Sequence, residues 1–227
     1  MSHGRGEKLK FKGESILLAF FALIGFLSGS MMFSYWLGLL VLKDIRHYGD
    51  GNPGAFNLWH AAGYKLGILG VALDFLKGYF PLSIMISKGY ISGIEIVPVA
   101  VAVILGHVFS PFLKWRGGKG IAVTFGVWSA LTSFRVSIAY AVILAILYVI
   151  AVILNKGKAT SSEVDGLMVV VGMLTLVLYL YYKLFSMYIY DIWFANLLII
   201  TYTNREKLYK LYKDVYEKHH EKNAAMR

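Results

Sequence analysis

The sequence predicts an all-α polytopic membrane bundle of six to seven spans, with Gly-rich loops on the cytoplasmic side. Three observations carry this. Of the 227 residues, 58% are hydrophobic and the mean hydropathy is +0.61, against roughly 45–50% apolar residues in a soluble domain. Charged residues make up only 16% and cluster between long apolar runs. Several of those runs reach the roughly 20 residues that a helix needs to cross a bilayer. The length suits a single membrane domain over 1–227, a bundle over 15–203 and a cytoplasmic surface tail over 204–227, with no room for a separate soluble domain.

The composition also excludes function classes. There are no cysteines, so neither a disulfide framework nor thiol chemistry is expected. The net charge of +10 fits loops and tails that meet anionic lipid headgroups, so membrane lipids are expected partners. The aromatic residues lie inside the apolar runs and do not alternate with basic ones, so no nucleic-acid partner is expected. The first apolar run is too long for a signal-peptide core and lacks a small-residue cleavage pattern, which makes it a retained span.

Residues 1–14 are polar, with Arg5, Lys8, Lys10 and Lys12. The apolar run from about Ser15 to Leu42 carries Gly25, Gly29 and Gly38, spaced to let a neighbouring helix approach closely. Ser28 and Ser30 sit near its middle, where a serine ordinarily bonds back to its own helix. Residues 43–65 form the longest polar loop, and Gly49, Gly51, Asn52, Pro53 and Gly54 oversupply it with turn residues. A plain connector needs one or two, so this reads as a ligand-binding loop. Leu66 to Ile86 is a second span. It holds Asp74 and Lys77 three apart on one face, either a structural ion pair or a substrate contact.

Ile91 to Phe112 is a third span, with Pro98 inside and His107 near its end. Ile121 to about Ser133 is a short fourth and Val136 to Leu154 a fifth. A linker over Asn155–Asp165 carries Lys156, Lys158 and the run Thr160-Ser161-Ser162. Residues 166–203 have the length of two short spans, although no clear turn divides them; Lys183 and Asp191 are the formal charges there. From Asn204 the chain is mixed-charge and Tyr-rich. Leu208, Leu211, Tyr212 and Val215 recur at helical spacing, as in a surface helix lying against headgroups. With 166–203 counted as two spans, the loops at 43–65 and 113–120 and the tail share one side. The tail's Arg205, Lys207, Lys210, Lys213, Lys218, Lys222 and Arg227 make that side cytoplasmic. The basic N-terminal segment would then lie opposite, against the same rule.

The stretch Trp115-Arg116-Gly117-Gly118-Lys119-Gly120 packs three glycines and two cations into six residues. Such a turn can leave N–H groups free to converge on an anion, and the helix expected from Ile121 would aim its N-terminal dipole at the same point. A phosphate site at a membrane surface is one reading; an ordinary basic connector is the other. A Walker A loop is ruled out, because Leu113 stands where its first Gly belongs and Gly120 follows the lysine.

Taken together, three segments resemble one family. Gly29-Ser30, Asp44-Ile45-Arg46 and Gly51-Asn52-Pro53-Gly54-Ala55-Phe56-Asn57 are similar to the first signature of the acyl-phosphate-dependent glycerol-3-phosphate acyltransferases, the PlsY family. Leu73-Asp74-Phe75-Leu76-Lys77-Gly78 resembles the helix that follows it. Gly106-His107-Val108-Phe109 and Gly117-Gly118-Lys119-Gly120 resemble the second signature. The resemblance implies a bundle of about seven helices that moves a fatty acyl group from acyl phosphate to the 1-hydroxyl of glycerol 3-phosphate. Lysophosphatidic acid and phosphate are the products. The implied alternatives are a paralogue acylating another acceptor, or a membrane binder or transporter of a phosphate-bearing solute.

That chemistry calls for a cationic, Gly-lined pocket open to lipid. Arg46 is expected to grip phosphate through paired N–H groups, and Lys119 with the amides of residues 117–120 to hold a second phosphate. Ser30, Arg46, Lys119 and Asn204 are the expected catalytic residues. Gly51, Asn52, Gly54, Asn57, Asp74, Lys77, His107, Arg116, Gly117, Gly118 and Gly120 are the expected substrate contacts. No cofactor or metal is implied, because acyl phosphate already carries a good leaving group and the enzyme supplies position and charge. The sequence departs from the family pattern at Asp50, where Ser is usual, and at Phe56, where Thr is usual. In the third signature Thr201 takes the place of His, Asn204 matches, and the downstream Gly-x-Glu is missing. Asp50 is expected to weaken a phosphate site, and His107 is the candidate to stand in for the missing histidine.

Overall fold

A computed structural model describes residues 3–225, with side chains over 13–217 and at residue 220. Arg5, Lys8, Lys10 and Lys12, and the tail's Lys218, Lys222 and Arg227, have side chains outside the described residues. The described chain is helical and contains no strand: α1 (His3–Ser30), α2 (Phe33–Leu40), α3 (Ala55–Ala62), α4 (Tyr64–Ser87), α5 (Ile96–Val108), α6 (Ile121–Thr132), α7 (Arg135–Leu154), α8 (Ser162–Tyr182) and α9 (Met187–Ala225). Short 3-10 turns cover Ile45–His47, Gly93–Glu95 and Pro111–Leu113. Among the described residues, five segments are long and apolar enough to cross a membrane: Gly13–Leu40, Tyr64–Ser87, Gly93–Leu113, Arg135–Leu154 and Ser162–Tyr182. The 12-residue α6 is only about 18 Å long, short of a hydrocarbon core of about 30 Å.

Two helix pairs set the frame, α1 against α5 and α4 against α6, and both close on glycine. A Cβ at Gly29 would lie 1.9 Å from the Val103 carbonyl oxygen, and one at Gly106 would lie 2.1 Å from that of Phe26. The second crossing repeats this, with Gly78 against the Val123 oxygen at 2.6 Å and Gly126 against the Phe75 oxygen at 2.1 Å. Backbones touch where side chains are absent, which is how membrane helices gain dispersion without a hydrophobic drive. Gly25 also faces α5, as its spacing suggests, while Gly38 makes room for Ile45 as the chain turns back. Trp128, Tyr140, Ile104, Met173 and Leu176 fill the centre. Outward faces of α1, α7 and α8 expose Ile16, Phe20, Ile138, Ile146, Leu174 and Leu178, as lipid-facing sides do.

One finding resolves a point the sequence left open, and another corrects the sequence reading. First, 166–203 does hold two helices, α8 and α9, divided at Lys183–Ser186. The turn is a Schellman closure: Phe185 N–H donates to the Leu180 carbonyl at 3.3 Å and Leu184 N–H to Tyr181 at 3.1 Å. The left-handed position, usually glycine, is Leu184 with φ 52°, so no turn residue marks it. Second, the tail is not a separate surface helix. It continues α9, whose 39 residues run about 58 Å, well beyond a bilayer's hydrocarbon core.

The first Gly-rich loop, the second and the α9 extension meet at one end of the bundle. Asp50 pairs with Lys119 at 2.7 Å and with Lys207 at 3.0 Å. Thr203 Oγ1 donates to the Lys119 carbonyl at 3.3 Å.

The crossing geometry yields a stability prediction. Gly126→Ala forces backbone apart and is expected to cost about 1–3 kcal/mol by overpacking. Gly13→Ala, where a Cβ meets nothing within 4 Å, should be neutral. Thermal unfolding in detergent compares the two, and equal melting temperatures would refute the backbone contact.

Candidate active site

The first loop is built around two carboxylates. Asp44 caps the turn Ile45–His47 by accepting from Arg46 N–H at 3.0 Å. The same carboxylate receives the Arg46 guanidinium, from Nε at 2.9 Å and from Nη2 at 2.5 Å. That hydrogen bonding holds the Asp44 carboxyl at about 2, against the opposing effect of burial. The guanidinium also lies 4.8 Å from the centre of the Tyr35 ring, so Arg46 is oriented before any ligand binds. Asp50 sits between Gly49 and Gly51, both left-handed with φ 54° and 72°. Its Oδ1 accepts from Asn57 Nδ2 and from Asn52 N–H, each at 3.2 Å. Burial by itself raises the Asp50 carboxyl, but hydrogen bonds and charge from Lys119 and Lys207 overcome it and hold the group well below the usual carboxylate range.

The second loop folds back along the end of α5. Gly117 N–H donates to the Val108 carbonyl at 2.9 Å and Gly118 N–H to that of His107 at 3.0 Å. These two amides are therefore spent inside the loop and do not converge on an anion, contrary to the expectation from sequence. The glycines serve packing: a Cβ would lie 1.9 Å from the His107 oxygen at Gly117 and 2.2 Å from His107 Nε2 at Gly118. The amides of Lys119 and Gly120 are not spent in this way. Gly120, left-handed with φ 81°, starts α6.

Between the loops and α9 lies a cleft of about 1050 Å³. Arg46, Arg116, Lys119 and Arg205 give it positive charge, while Val108, Phe109, Phe112 and Trp115 form an apolar flank. Asp50, Gly51, Asn52, Lys114, Gly117, Gly118, Tyr202, Thr203 and Glu206 also line it. A phosphate head and an acyl tail could both be held here.

Comparisons with known proteins identify the family. The family model described as glycerol-3-phosphate acyltransferase matches residues 19–214. This chain belongs to the glycerol-3-phosphate acyltransferase family. Among relatives, glycerol-3-phosphate acyltransferase 1 of Thermotoga maritima is 37% identical over 204 residues, covering 88% of this chain and 100% of that one. The glycerol-3-phosphate acyltransferase of Leptospira borgpetersenii is 45% identical over 123 residues, covering 50% of this chain and 53% of that one. Two crystal structures of PlsY, an integral membrane glycerol 3-phosphate acyltransferase, share the fold. Its glycerol 3-phosphate form has a TM-score of 0.75 at 25% identity, and its lysophosphatidic acid form 0.74 at 26%. Each comparison covers 87% of this chain and 92% of the other.

Of the expected site residues, Arg46, Gly51, Asn52, Arg116, Gly117, Gly118 and Lys119 line the cleft, and the rest are buried outside its lining. Ser30 is fully buried and donates to the Phe26 carbonyl of its own helix at 2.6 Å. Asn57 is fully buried and ties Asp50 to the Asn52 carbonyl. Gly54 and Gly120 are buried at helix starts. His107 is buried beneath Gly118, with Nδ1 lacking a hydrogen-bond partner. It therefore does not face the cleft, as a stand-in general base would need to. Asn204 donates to the Ile200 carbonyl at 2.9 Å, and Thr201, at the family's His position, to Leu197 at 2.7 Å. Phe56 points outward against His60, ring centres 4.6 Å apart. Sequence reading missed Asp50 as an organiser and Lys207 as its partner. The only signal for Lys207 was its place three residues after Asn204.

Asp74 and Lys77 form a buried pair at 2.7 Å. Ser34 Oγ donates to Asp74 at 2.5 Å, and Lys77 Nζ also donates to the carbonyl of Met31. Met31 and Met32 separate α1 from α2, so the ammonium caps a carbonyl that the helix break leaves open. Of the two sequence readings, this geometry matches the structural ion pair.

Lys77→Met strands a buried carboxylate and uncaps Met31. It is expected to destabilise the protein by about 3–5 kcal/mol, and adding Asp74→Asn should recover part of that loss. Melting temperatures in detergent would test it; a double variant worse than Lys77→Met alone would refute the pairing.

Proposed function

We propose that this cleft transfers a fatty acyl group from acyl phosphate to the 1-hydroxyl of glycerol 3-phosphate. The hydroxyl oxygen attacks the acyl carbonyl carbon, the bond from that carbon to the phosphate oxygen breaks, and the hydroxyl proton leaves with the phosphate. Lysophosphatidic acid and phosphate result. The observation that carries this reading is the cleft itself, where cations from two loops face an apolar flank. Arg46 and Lys119 hold phosphate oxygens, with Arg116 adding charge. Val108, Phe109, Phe112 and Trp115 receive the acyl chain from surrounding lipid. The described lining contains no histidine and no nucleophile–base pair, which favours direct transfer by positioning and charge stabilisation. Ser30, Asn57, His107 and Asn204 act through the scaffold that orients the loops, with Asp74 and Lys77 bracing the break above them.

The protein sits in the cell membrane with the cleft on the cytoplasmic face, consistent with the basic residues of the loops and of α9 at that end. Residues 15–203 form the bundle, and the described part of 204–227 forms its cytoplasmic extension.

Two measurements test this. Arg46→Ala and Lys119→Ala should each lower transfer at least about tenfold, with unfolding unchanged, in an assay supplying acyl phosphate and glycerol 3-phosphate. Saturable glycerol 3-phosphate binding without product would reduce the protein to a binder. For the orientation, single cysteines replace His47, Arg116 and Lys213. All three should resist an impermeant thiol reagent added to intact cells and react after permeabilisation; labelling of any one from outside would overturn the topology. Gly117 is unsuitable, since a side chain there would strike the His107 carbonyl.

A further inference from the structure

Two lysines from distant parts of the chain converge on a single oxygen. Asp50 Oδ2 lies 2.7 Å from Lys119 Nζ and 3.0 Å from Lys207 Nζ. The other oxygen, Oδ1, is turned back into its own loop, where Asn57 Nδ2 and Asn52 N–H hold it. The carboxylate is thus anchored on one side and presents the other to a pair of cations. Both lysine side chains are largely covered, 19% and 18% exposed, so neither swings freely in water. Two ammonium groups this close repel each other unless an anion lies between them. Of the acidic residues lining the cleft, Glu206 is 90% exposed at its side chain and pairs with Arg205 at 3.6 Å, leaving Asp50 as the anion that serves the two lysines.

We propose that Lys119 and Lys207 form the seat of a substrate phosphate, and that Asp50 is a built-in competing anion in that seat. The proposal rests on the reading that the cleft binds phosphorylated substrates, and it adds Lys207 as a substrate-binding residue. Two ammonium groups around one carboxylate oxygen make the arrangement they would make around one phosphate oxygen. The two lysines and Asp50 together carry one net positive charge. A phosphate monoester, close to dianionic at neutral pH, must displace the carboxylate or share both cations with it. Asp50 therefore lowers phosphate affinity, and Lys207 raises it from a helix that carries none of the Gly-rich signature. The seat also links phosphate binding to α9: when phosphate replaces Asp50, Lys207 keeps an anionic partner but the α9–loop ion pair is released.

The experiment is equilibrium binding of inorganic phosphate and of glycerol 3-phosphate to the full chain in detergent. Asp50→Asn removes the charge yet keeps an acceptor for Asn57 and for Asn52 N–H, so the loop is preserved. Its Kd for phosphate should fall about tenfold, the lower end of the scale of a hydrogen bond to a charged group. Lys207→Gln should raise Kd by a similar factor, both alone and in the Asp50→Asn background, and Lys207→Arg should stay within about twofold of wild type. Unchanged or weaker binding in Asp50→Asn, or no effect of Lys207→Gln, would overturn the seat. KM values in the transfer assay identify whose phosphate it takes. A shift confined to glycerol 3-phosphate assigns it to the acceptor, and one confined to acyl phosphate assigns it to the donor. Binding that shifts as described without any product would retain the seat and remove the transfer reaction.

Discussion

Backbone contact at two glycine crossings governs where everything else can lie. Gly29 and Gly106 let α1 and α5 touch, and Gly78 and Gly126 do the same for α4 and α6. α1, with α2, leads into the first loop, and α5 and α6 bracket the second. Once the crossings close, the two loops have no choice but to emerge side by side. Side chains at these positions would hold the helices apart and separate the loops, whatever residues the loops contained. The small-residue spacing on α1 is thus as much a determinant of the cleft as the cations that line it.

The interior of such a bundle offers no water to groups left without partners. The break between α1 and α2 frees carbonyls, and the chain answers with Lys77, whose ammonium reaches Met31 while Asp74 balances its charge and accepts from Ser34. Ser110 Oγ donates to the Ser30 carbonyl at 2.7 Å in the same region. Burial of the Asp74–Lys77 pair is costly, so it is tolerable only as part of a satisfied network. The break starts the short α2, after which the chain can turn back at Gly38 and Ile45 to begin the first loop.

At the cleft the balance of charge decides the chemistry. Arg46 is preoriented by Asp44 and Tyr35, and Lys119 by Asp50. Neither cation must be ordered by the substrate, so less binding energy is lost to that ordering. The carboxylate at Asp50, which looked unfavourable beside a phosphate site, is accommodated because two lysines face it. It draws together three segments that would otherwise repel one another.

Much of this was legible in the residues. Apolar run lengths gave the all-α membrane class, and the glycine spacing of Gly25 and Gly29 gave a close helix contact. The two Gly-rich loops, with Arg46 and Lys119, pointed to a phosphate site. These features are local, written in composition and short-range spacing. The division of 166–203 was not legible, because a leucine occupies the left-handed turn position that glycine usually marks. Nor was the fate of the Gly117 and Gly118 amides, since a glycine reads alike whether its N–H faces a ligand or a neighbouring carbonyl. The sequence by itself determined the membrane class, the family signatures and which cations were available. Only the tertiary structure decided that Ser30, Asn57, His107 and Asn204 are buried outside the cleft lining, and that Lys207 joins Lys119 on Asp50. The reason is physical: such pairings depend on how helices far apart in the chain cross, and no local pattern encodes a crossing.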